Sequence, residues 1–265
     1  MKISIITITY NNLSSLRRTV ESVTKQRFAD WELIVIDGGS TDGTIEYLED
    51  LSVSNLYYVS ESDNGVYDAQ NKGIRMARGE YCLFLNAGDV LYDERVLELM
   101  FADNSNADII YGNEIVVDAD GKRVEYCKGV ENPTFLDLYM SCMKHQATFI
   151  RRNLFEKYGM YDDGLCIVAD WEWFFRVIAY HDDITLQYKD VDVSLFENTG
   201  KSYHSPEICK TERQQVLNSY MSHRQQIDYD FFCRYKRLRD AERKPILTFC
   251  LRIIMWCVKH LKIAE

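Results

Sequence analysis

Ile3-Ser4-Ile5-Ile6-Thr7-Ile8-Thr9-Tyr10-Asn11-Asn12-Leu13-Ser14-Ser15-Leu16-Arg17-Arg18-Thr19-Val20-Glu21-Ser22-Val23 changes its hydrophobic period partway along. Residues 3–8 are an almost continuous apolar run, the pattern of a short strand covered on both faces, whereas Leu13, Leu16, Val20 and Val23 recur at helical spacing. The pair of signals then repeats. Residues 32–36 read as strand, 44–51 as helix, 56–59 as strand, 66–77 as helix and 81–85 as strand. Four strands joined by three helical crossovers predict an α/β domain built on a doubly wound sheet.

Further along, residues 93–101 predict a helix, 108–111 and 114–117 two strands, and Asp120-Gly121 a hairpin turn before a strand at 123–126. The sheet therefore becomes mixed. Residues 133–143 read as helix, 146–150 as extended, 153–158 as a short helix stopped by Gly159, and 170–180 as an amphipathic helix. Strands at 184–188 and 191–196 close this region. Asn198-Thr199-Gly200-Lys201-Ser202-Tyr203-His204-Ser205 is polar and loop-like, and a long helix is expected over 206–241.

The 265 residues carry a formal net charge of −10, with 46% hydrophobic and 27% charged content, and only 13 Gly and 3 Pro. Those proportions exclude collagen-like and disordered chains and leave enough apolar residues for a sizeable core. An acidic surplus argues against a general nucleic-acid binder, which needs clustered Lys and Arg to meet phosphates. The eight cysteines never form Cys-x-x-Cys and no His pairs accompany them at zinc spacing, so scattered reduced thiols are expected. The first residues enter a strand pattern at once, without the features of a secretory leader, so a cytoplasmic protein is expected.

In an open α/β sheet, ligands bind outside the carboxyl ends of the strands. Here those ends read Thr9-Tyr10-Asn11-Asn12, Asp37-Gly38-Gly39-Ser40-Thr41-Asp42-Gly43, Glu61-Ser62-Asp63-Asn64-Gly65 and Asn86-Ala87-Gly88-Asp89. A Gly-x-Gly-x-x-Gly cradle after the first strand and a Walker lysine loop are both missing. Carboxylate and amide converge instead, which suits a hard divalent cation neutralising a nucleoside diphosphate. Taken singly, Asp37, Asp42 and Asp63 read equally well as turn formers and helix caps.

Thr9-Tyr10-Asn11, residues 35–44 (Val-Ile-Asp-Gly-Gly-Ser-Thr-Asp-Gly-Thr), residues 68–74 (Asp-Ala-Gln-Asn-Lys-Gly-Ile) and residues 84–89 (Phe-Leu-Asn-Ala-Gly-Asp), in this order and spacing, closely resemble the family 2 glycosyltransferases of GT-A fold. The match covers roughly residues 1–200. It implies a mixed, mainly parallel sheet flanked by helices, and an inverting enzyme of the kind that builds bacterial surface polysaccharides. On that resemblance Thr9 and Tyr10 lie beside the nucleobase, Asp37 accepts a hydrogen bond from it, Lys72 approaches the pyrophosphate or the base, and Asn11 and Asp68 belong to the nucleotide site. The family's Asp-x-Asp element stands here as Asn86-Ala87-Gly88-Asp89, an amide replacing its first carboxylate. Asn86 can still hydrogen-bond a ribose hydroxyl, and Asp89 is left as the expected ligand of Mn²⁺ or Mg²⁺. Asp170, in Val168-Ala169-Asp170-Trp171-Glu172, matches the family's catalytic carboxylate and is the expected general base, although a helix cap would also explain it. His145, Trp171, Lys201 and His204 are expected as acceptor or diphosphate contacts. Their plainer readings are a structural donor, a core aromatic and two solvated loop residues.

The expected division is a glycosyltransferase domain over 1–205, with a nucleotide-binding half at 1–92 and an acceptor half at 93–205, and a C-terminal helical extension over 206–265. That tail is locally basic in an acidic chain, and its apolar stretch at 246–261, interrupted by Arg252, falls short of the roughly 18 uninterrupted residues of a membrane span. It reads either as a peripheral anchor at the inner face of the cell membrane or as a helix packed on the domain or on a second copy. The resemblance implies a nucleoside-diphosphate sugar as donor, a UDP-sugar first, and a saccharide or lipid-linked saccharide as acceptor. Two competing readings are a nucleotidyltransferase, which would want a basic, Gly-rich segment after the first strand, and a non-catalytic nucleotide-sugar binder, which the Asn86 replacement favours and the presence of Asp89 and Asp170 opposes.

Overall fold

The computed structural model describes residues 1–103, 105–118, 120–141, 143–197 and 205–242. The first half alternates as its periodicity requires: β1 (Ile3–Thr9), α1 (Leu13–Thr24), β2 (Trp31–Asp37), α2 (Thr44–Asp50), β3 (Leu56–Ser60), α3 (Val66–Met76) and β4 (Tyr81–Phe84). The second half adds β5 (Val90–Leu91), α4 (Val96–Met100), β6 (Ile109–Val117), β7 (Arg123–Cys127), α5 (Phe135–Met140), a 3₁₀ turn (His145–Ala147), β8 (Thr148–Arg151), α6 (Asn153–Tyr158), α7 (Ala169–Ala179) and β9 (Leu186–Glu197). Two further helices are α8 (Pro206–Tyr220) and α9 (His223–Glu242).

All nine strands join one sheet, in the order β3-β2-β1-β4-β8-β6-β9-β5, with β7 paired to the side of β6. β3, β2, β1 and β4 run parallel, β8 is antiparallel to both β4 and β6, and β9 lies parallel to β6. The register levels Thr9 with Asp37 and Asp37 with Ser60, so three polar loops begin at the same height. Ile5, Leu33, Val35 and Leu83 are fully buried in the central strands, each stabilising the fold by about 2 kcal/mol relative to an exposed side chain. Helix α3 comes unusually close to β1 because Gly73 faces it; a Cβ there would lie 2.4 Å from Ile6 Cγ2. Beyond that contact, Asn71 reaches the segment before α7: its Nδ2 donates to the Tyr161 carbonyl at 2.9 Å, and its Oδ1 accepts from the Tyr161 amide at 3.1 Å.

Several boundaries differ from the expected ones, for identifiable reasons. The two strands expected at 108–117 are the single β6, because Gly112 allows Val191 O to approach to 2.5 Å of where a Cβ would be, and buried Asn113 is hydrogen-bonded across to Asp190 and Tyr188. β9 is likewise continuous where two strands were expected. The extended stretch at 146–150 starts as the 3₁₀ turn. The long helix expected from 206 breaks after Tyr220, where Ser222 and Gln225 begin a new one: the Ser222 hydroxyl and amide donate to Gln225 Oε1 at 2.9 and 2.8 Å. Two-residue β5 carried no periodic signal. The chain divides into two compact units, one spanning Met1–Val216 and another beginning at Leu217. Among the described residues no helix is long and apolar enough to cross a membrane. Lys201 and His204, expected in the polar loop, and the expected anchor segment beyond residue 242 lie outside the described residues.

Candidate active site

At the ends of β1 and β2 the backbone is organised by Asp37. It is fully buried, and its carboxylate accepts from the Gly39 amide at 3.1 Å, the Ser40 amide at 2.9 Å, the Ser60 hydroxyl at 2.6 Å and the Ser40 hydroxyl. A buried carboxylate is stable only with such partners. Asn11, at φ 46°, accepts from the Thr41 amide at 2.8 Å and so ties the first loop to the second. Asp42 takes the plainer role: it accepts from the amides of Leu13 at 2.9 Å and Thr44 at 3.3 Å, capping the starts of α1 and α2 together. Tyr10 is 64% exposed, and its ring and Asp63 both lie against Gly38. The Thr9 hydroxyl is buried, with no hydrogen-bond partner among the described residues. From α3, Lys72 donates to the Ser62 carbonyl at 2.9 Å and pairs with Glu61 at 2.9 Å and Asp68 at 3.6 Å. Its pKa is raised, mainly by the Glu61 hydrogen bond.

The loop after β4 holds the next group. Gly88 sits at φ +111°, and its amide donates to the Thr19 hydroxyl at 2.9 Å, which in turn donates to the Asp89 carbonyl at 2.8 Å. This clamp turns the Asp89 side chain inward, where its Oδ2 accepts from the Asn86 amide at 3.1 Å. Asn86 Oδ1 accepts from Gln70 at 3.1 Å. Burial pushes the Asp89 carboxyl up to about 7, with the nearby His145 pulling the other way. A carboxylate so placed favours a neighbouring cation. Among the described residues no three His, Cys, Asp or Glu side chains are grouped to hold a metal ion. The residues therefore fit a divalent ion only in one manner, with Asp89 as its protein carboxylate and the other oxygens coming from a nucleotide, which is an ordinary arrangement for Mg²⁺.

Asp89 and Asp170 line one cavity of about 440 Å³. Asp170 lies in the first turn of α7, where backbone amides have no intrahelical acceptor and a negative charge is favoured. His145 Nδ1 stands 2.9 Å from Asp170 Oδ2, and the Tyr67 hydroxyl stands 3.1 Å from Oδ1 and 2.5 Å from the Ile167 carbonyl. Burial lowers the His145 pKa, but the hydrogen bond to Asp170 and the charges of Asp170, Asp89 and Glu114 outweigh it, leaving the imidazole above its ordinary value. Glu114, 1% exposed, reaches the same cavity; burial raises its pKa, and Lys144 Nζ lies 3.6 Å away.

Of the expected site residues, Asn86, Asp89, His145, Asp170 and Trp171 border this cavity, while Thr9, Tyr10, Asn11, Asp37, Asp68 and Lys72 do not. They border the neighbouring loops of the same sheet edge instead. Trp171 is 2% exposed, with its Nε1 donating to the Leu138 carbonyl and the Arg213 guanidinium 3.8 Å from the ring centroid, so most of its surface already contacts protein. Tyr67, Glu114 and Arg213 were not singled out from sequence. A glutamate inside the apolar run of β6 was a usable signal, since a buried charge in a strand needs a reason; a tyrosine at a helix start and an arginine in a distant helix offered none.

The sequence profile of "Glycosyl transferase family 2" matches residues 4–176. A "PGL/p-HBAD biosynthesis glycosyltransferase" of Mycobacterium bovis (strain BCG / Pasteur 1173P2) is 30% identical over 203 residues, covering 74% of this chain and 77% of its own length. An "Uncharacterized glycosyltransferase MT1564" of Mycobacterium tuberculosis (strain CDC 1551 / Oshkosh) is 32% identical over 211 residues, covering 76% and 77%. Among solved structures, S. aureus TarS 1-349 in complex with UDP-GlcNAc superposes with a TM-score of 0.63 at 20% identity, covering 85% of this chain and 69% of that one. The mannosyltransferase PcManGT from Pyrobaculum calidifontis in complex with GDP-Man and Mn2+ gives 0.59 at 17% identity, covering 82% and 63%.

Proposed function

The chain belongs to glycosyl transferase family 2, with a GT-A type fold, and from that premise we propose that it moves a sugar from a nucleoside diphosphate to an acceptor hydroxyl with inversion at the anomeric carbon. Asp170 is the general base in this reading. The observation that supports it is the shared cavity: the two carboxylates Asp89 and Asp170 line one space together with His145, whose imidazole feels both charges. The nucleoside lies over the polar loops that carry Thr9, Tyr10, Asn11 and Asp37, with Asp68, Lys72 and Asn86 beside it. Uridine diphosphate is the first donor nucleotide to test, as in the UDP-GlcNAc complex of TarS. A saccharide, free or lipid-linked, is the acceptor, in assembly of a surface glycan.

Asp89 is the residue that would hold a divalent cation, and the ion would supply positive charge to offset that of the diphosphate. Asp170 accepts the proton of the attacking hydroxyl at a carboxylate oxygen. Its orientation is set by His145 on one oxygen and by the Tyr67 hydroxyl and the Trp171 amide on the other. Val66, Met143 and Phe196 contribute apolar wall to the same space.

Replacing the base separates chemistry from binding. Asp170→Asn keeps the side-chain volume and removes the proton acceptor, so kcat is expected to fall by roughly 10²–10⁴-fold while the Kd for the nucleoside diphosphate, read by calorimetry, stays within about twofold. Turnover within about tenfold of wild type would assign the base elsewhere.

A further inference from the structure

Helix α8 begins thirty residues after the family profile ends at residue 176, and the sequence reading placed it in an extension outside the catalytic domain. Its Glu212 is 7% exposed. The carboxylate accepts three consecutive backbone amides from the segment that leads into α7: Cys166 N donates to Oε1 at 2.7 Å, and Ile167 N and Val168 N donate to Oε2 at 2.9 and 3.2 Å. Successive amides aimed at one anion form a strong charge-assisted grip. Among the described residues Glu212 makes no ion pair, so these amides are what offset the burial of its charge.

The segment it grips ends two residues before Asp170. The Ile167 carbonyl, in the same peptide unit as the gripped Val168 amide, accepts from the Tyr67 hydroxyl at 2.5 Å, and that hydroxyl also faces Asp170. On the other side of Asp170 stands Trp171. The residue after Glu212, Arg213, places its guanidinium 3.8 Å from the Trp171 ring centroid and donates through Nη2 to the Tyr139 carbonyl at 2.6 Å. Adjacent residues of α8 thus hold the chain immediately before and immediately after Asp170. Cys209 and Arg213 of the same helix also line the cavity.

We propose that Glu212 is a positioning residue for Asp170, and that α8 is a wall of the reacting site rather than an appendage to it. The proposal rests on the reading of Asp170 as general base. Its mechanism is geometric. Releasing residues 166–168 lets the first turn of α7 rotate, and a displacement near 1 Å at a catalytic group costs on the order of 10²-fold in rate. Donor affinity depends on the loops after β1, β2 and β3, which Glu212 does not touch.

The test combines amide exchange with kinetics on the full-length chain. In wild type, mass-resolved hydrogen–deuterium exchange should show the amides of 166–168 protected although Cys166 is exposed; exchange at the rate of an open loop overturns the proposal without any variant. Glu212→Gln keeps the volume but replaces one acceptor oxygen with a carboxamide NH2, a donor facing donors. It should lose that protection and lose kcat for nucleoside diphosphate release by about 10- to 100-fold, with KM for the donor sugar and Kd for the nucleoside diphosphate within twofold. Glu207→Gln, exposed on the same helix, should match wild type. Retained kcat in a Glu212→Gln protein whose 166–168 amides have opened overturns the proposal, as does a KM that rises as far as kcat falls. Should wild type release no nucleoside diphosphate from any UDP-, GDP- or dTDP-sugar, the catalytic reading itself fails, and the exchange result alone decides whether Glu212 holds the segment.

Discussion

Asp170 and His145 form the closest acid–base pair facing the cavity, and their coupling has a definite dependence on pH. The imidazole is held above its ordinary value of 6.5 despite burial, because it faces three carboxylates. A group whose folded pKa is raised contributes stability that is fully present below the unfolded value and is lost as pH rises through the folded one. In the metal-free protein the pair is therefore expected to stabilise the fold by about 2 kcal/mol below pH 6.5, and that contribution should fade as pH rises beyond the shifted value. His145→Gln, which cannot titrate, should lower Tm relative to wild type in acid and approach it in mild alkali. A gap that widens with rising pH would mean that His145 is held neutral. Asp170, Asp89 and His145 were each legible in the sequence because they sit beside recognisable segments. Tyr67 and Glu212 were not, since what gives them meaning is a partner about a hundred and about forty-five positions away respectively.

The elements of the first half were the most legible part of the chain, because parallel strands covered on both faces are written as apolar runs and their crossovers as amphipathic helices. Where a polar residue or glycine interrupted the run, as at Gly112-Asn113 in β6, the period failed although the strand did not: cross-strand partners satisfied Asn113, and close approach of β9 required Gly112. Gly73 is the opposite case, a glycine inside a helix whose propensity cost is about 1 kcal/mol relative to alanine. Close packing explains it. Gly73→Ala would gain that propensity but drive a Cβ to 2.4 Å from the buried, stiff side chain of Ile6, and overpacking of this kind costs about 1–3 kcal/mol. Urea denaturation should show a lower midpoint for the variant; a higher one would mean that α3 has room to move away from β1.

At the scale of the molecule, the mixed sheet brings loops from β1, β2, β3 and β4 to one edge, and the later strands and helices close a cavity around the last of them. The doubly wound half was read from periodicity, and the mixed half was anticipated from a hairpin turn and a family resemblance. What remained hidden was that the first compact unit runs to Val216 and so takes in the part of α8 that carries Glu212 and Arg213, because nothing in the spacing of a polar helix reveals what its Glu and Arg will hold. In the proposed function, the two carboxylates facing one cavity are what make this unit a transferase for activated sugars. The most direct test of that reading is to incubate the full-length protein with Mn²⁺ and a panel of UDP-, GDP- and dTDP-sugars, with water or simple saccharides as acceptors, and to measure nucleoside diphosphate release. Release is expected from the sugars of one nucleotide, lowered roughly 10²–10⁴-fold in Asp170→Asn and strongly reduced in Asp89→Asn. Selective nucleotide binding with no release from any donor would contradict it and make the protein a binder rather than an enzyme.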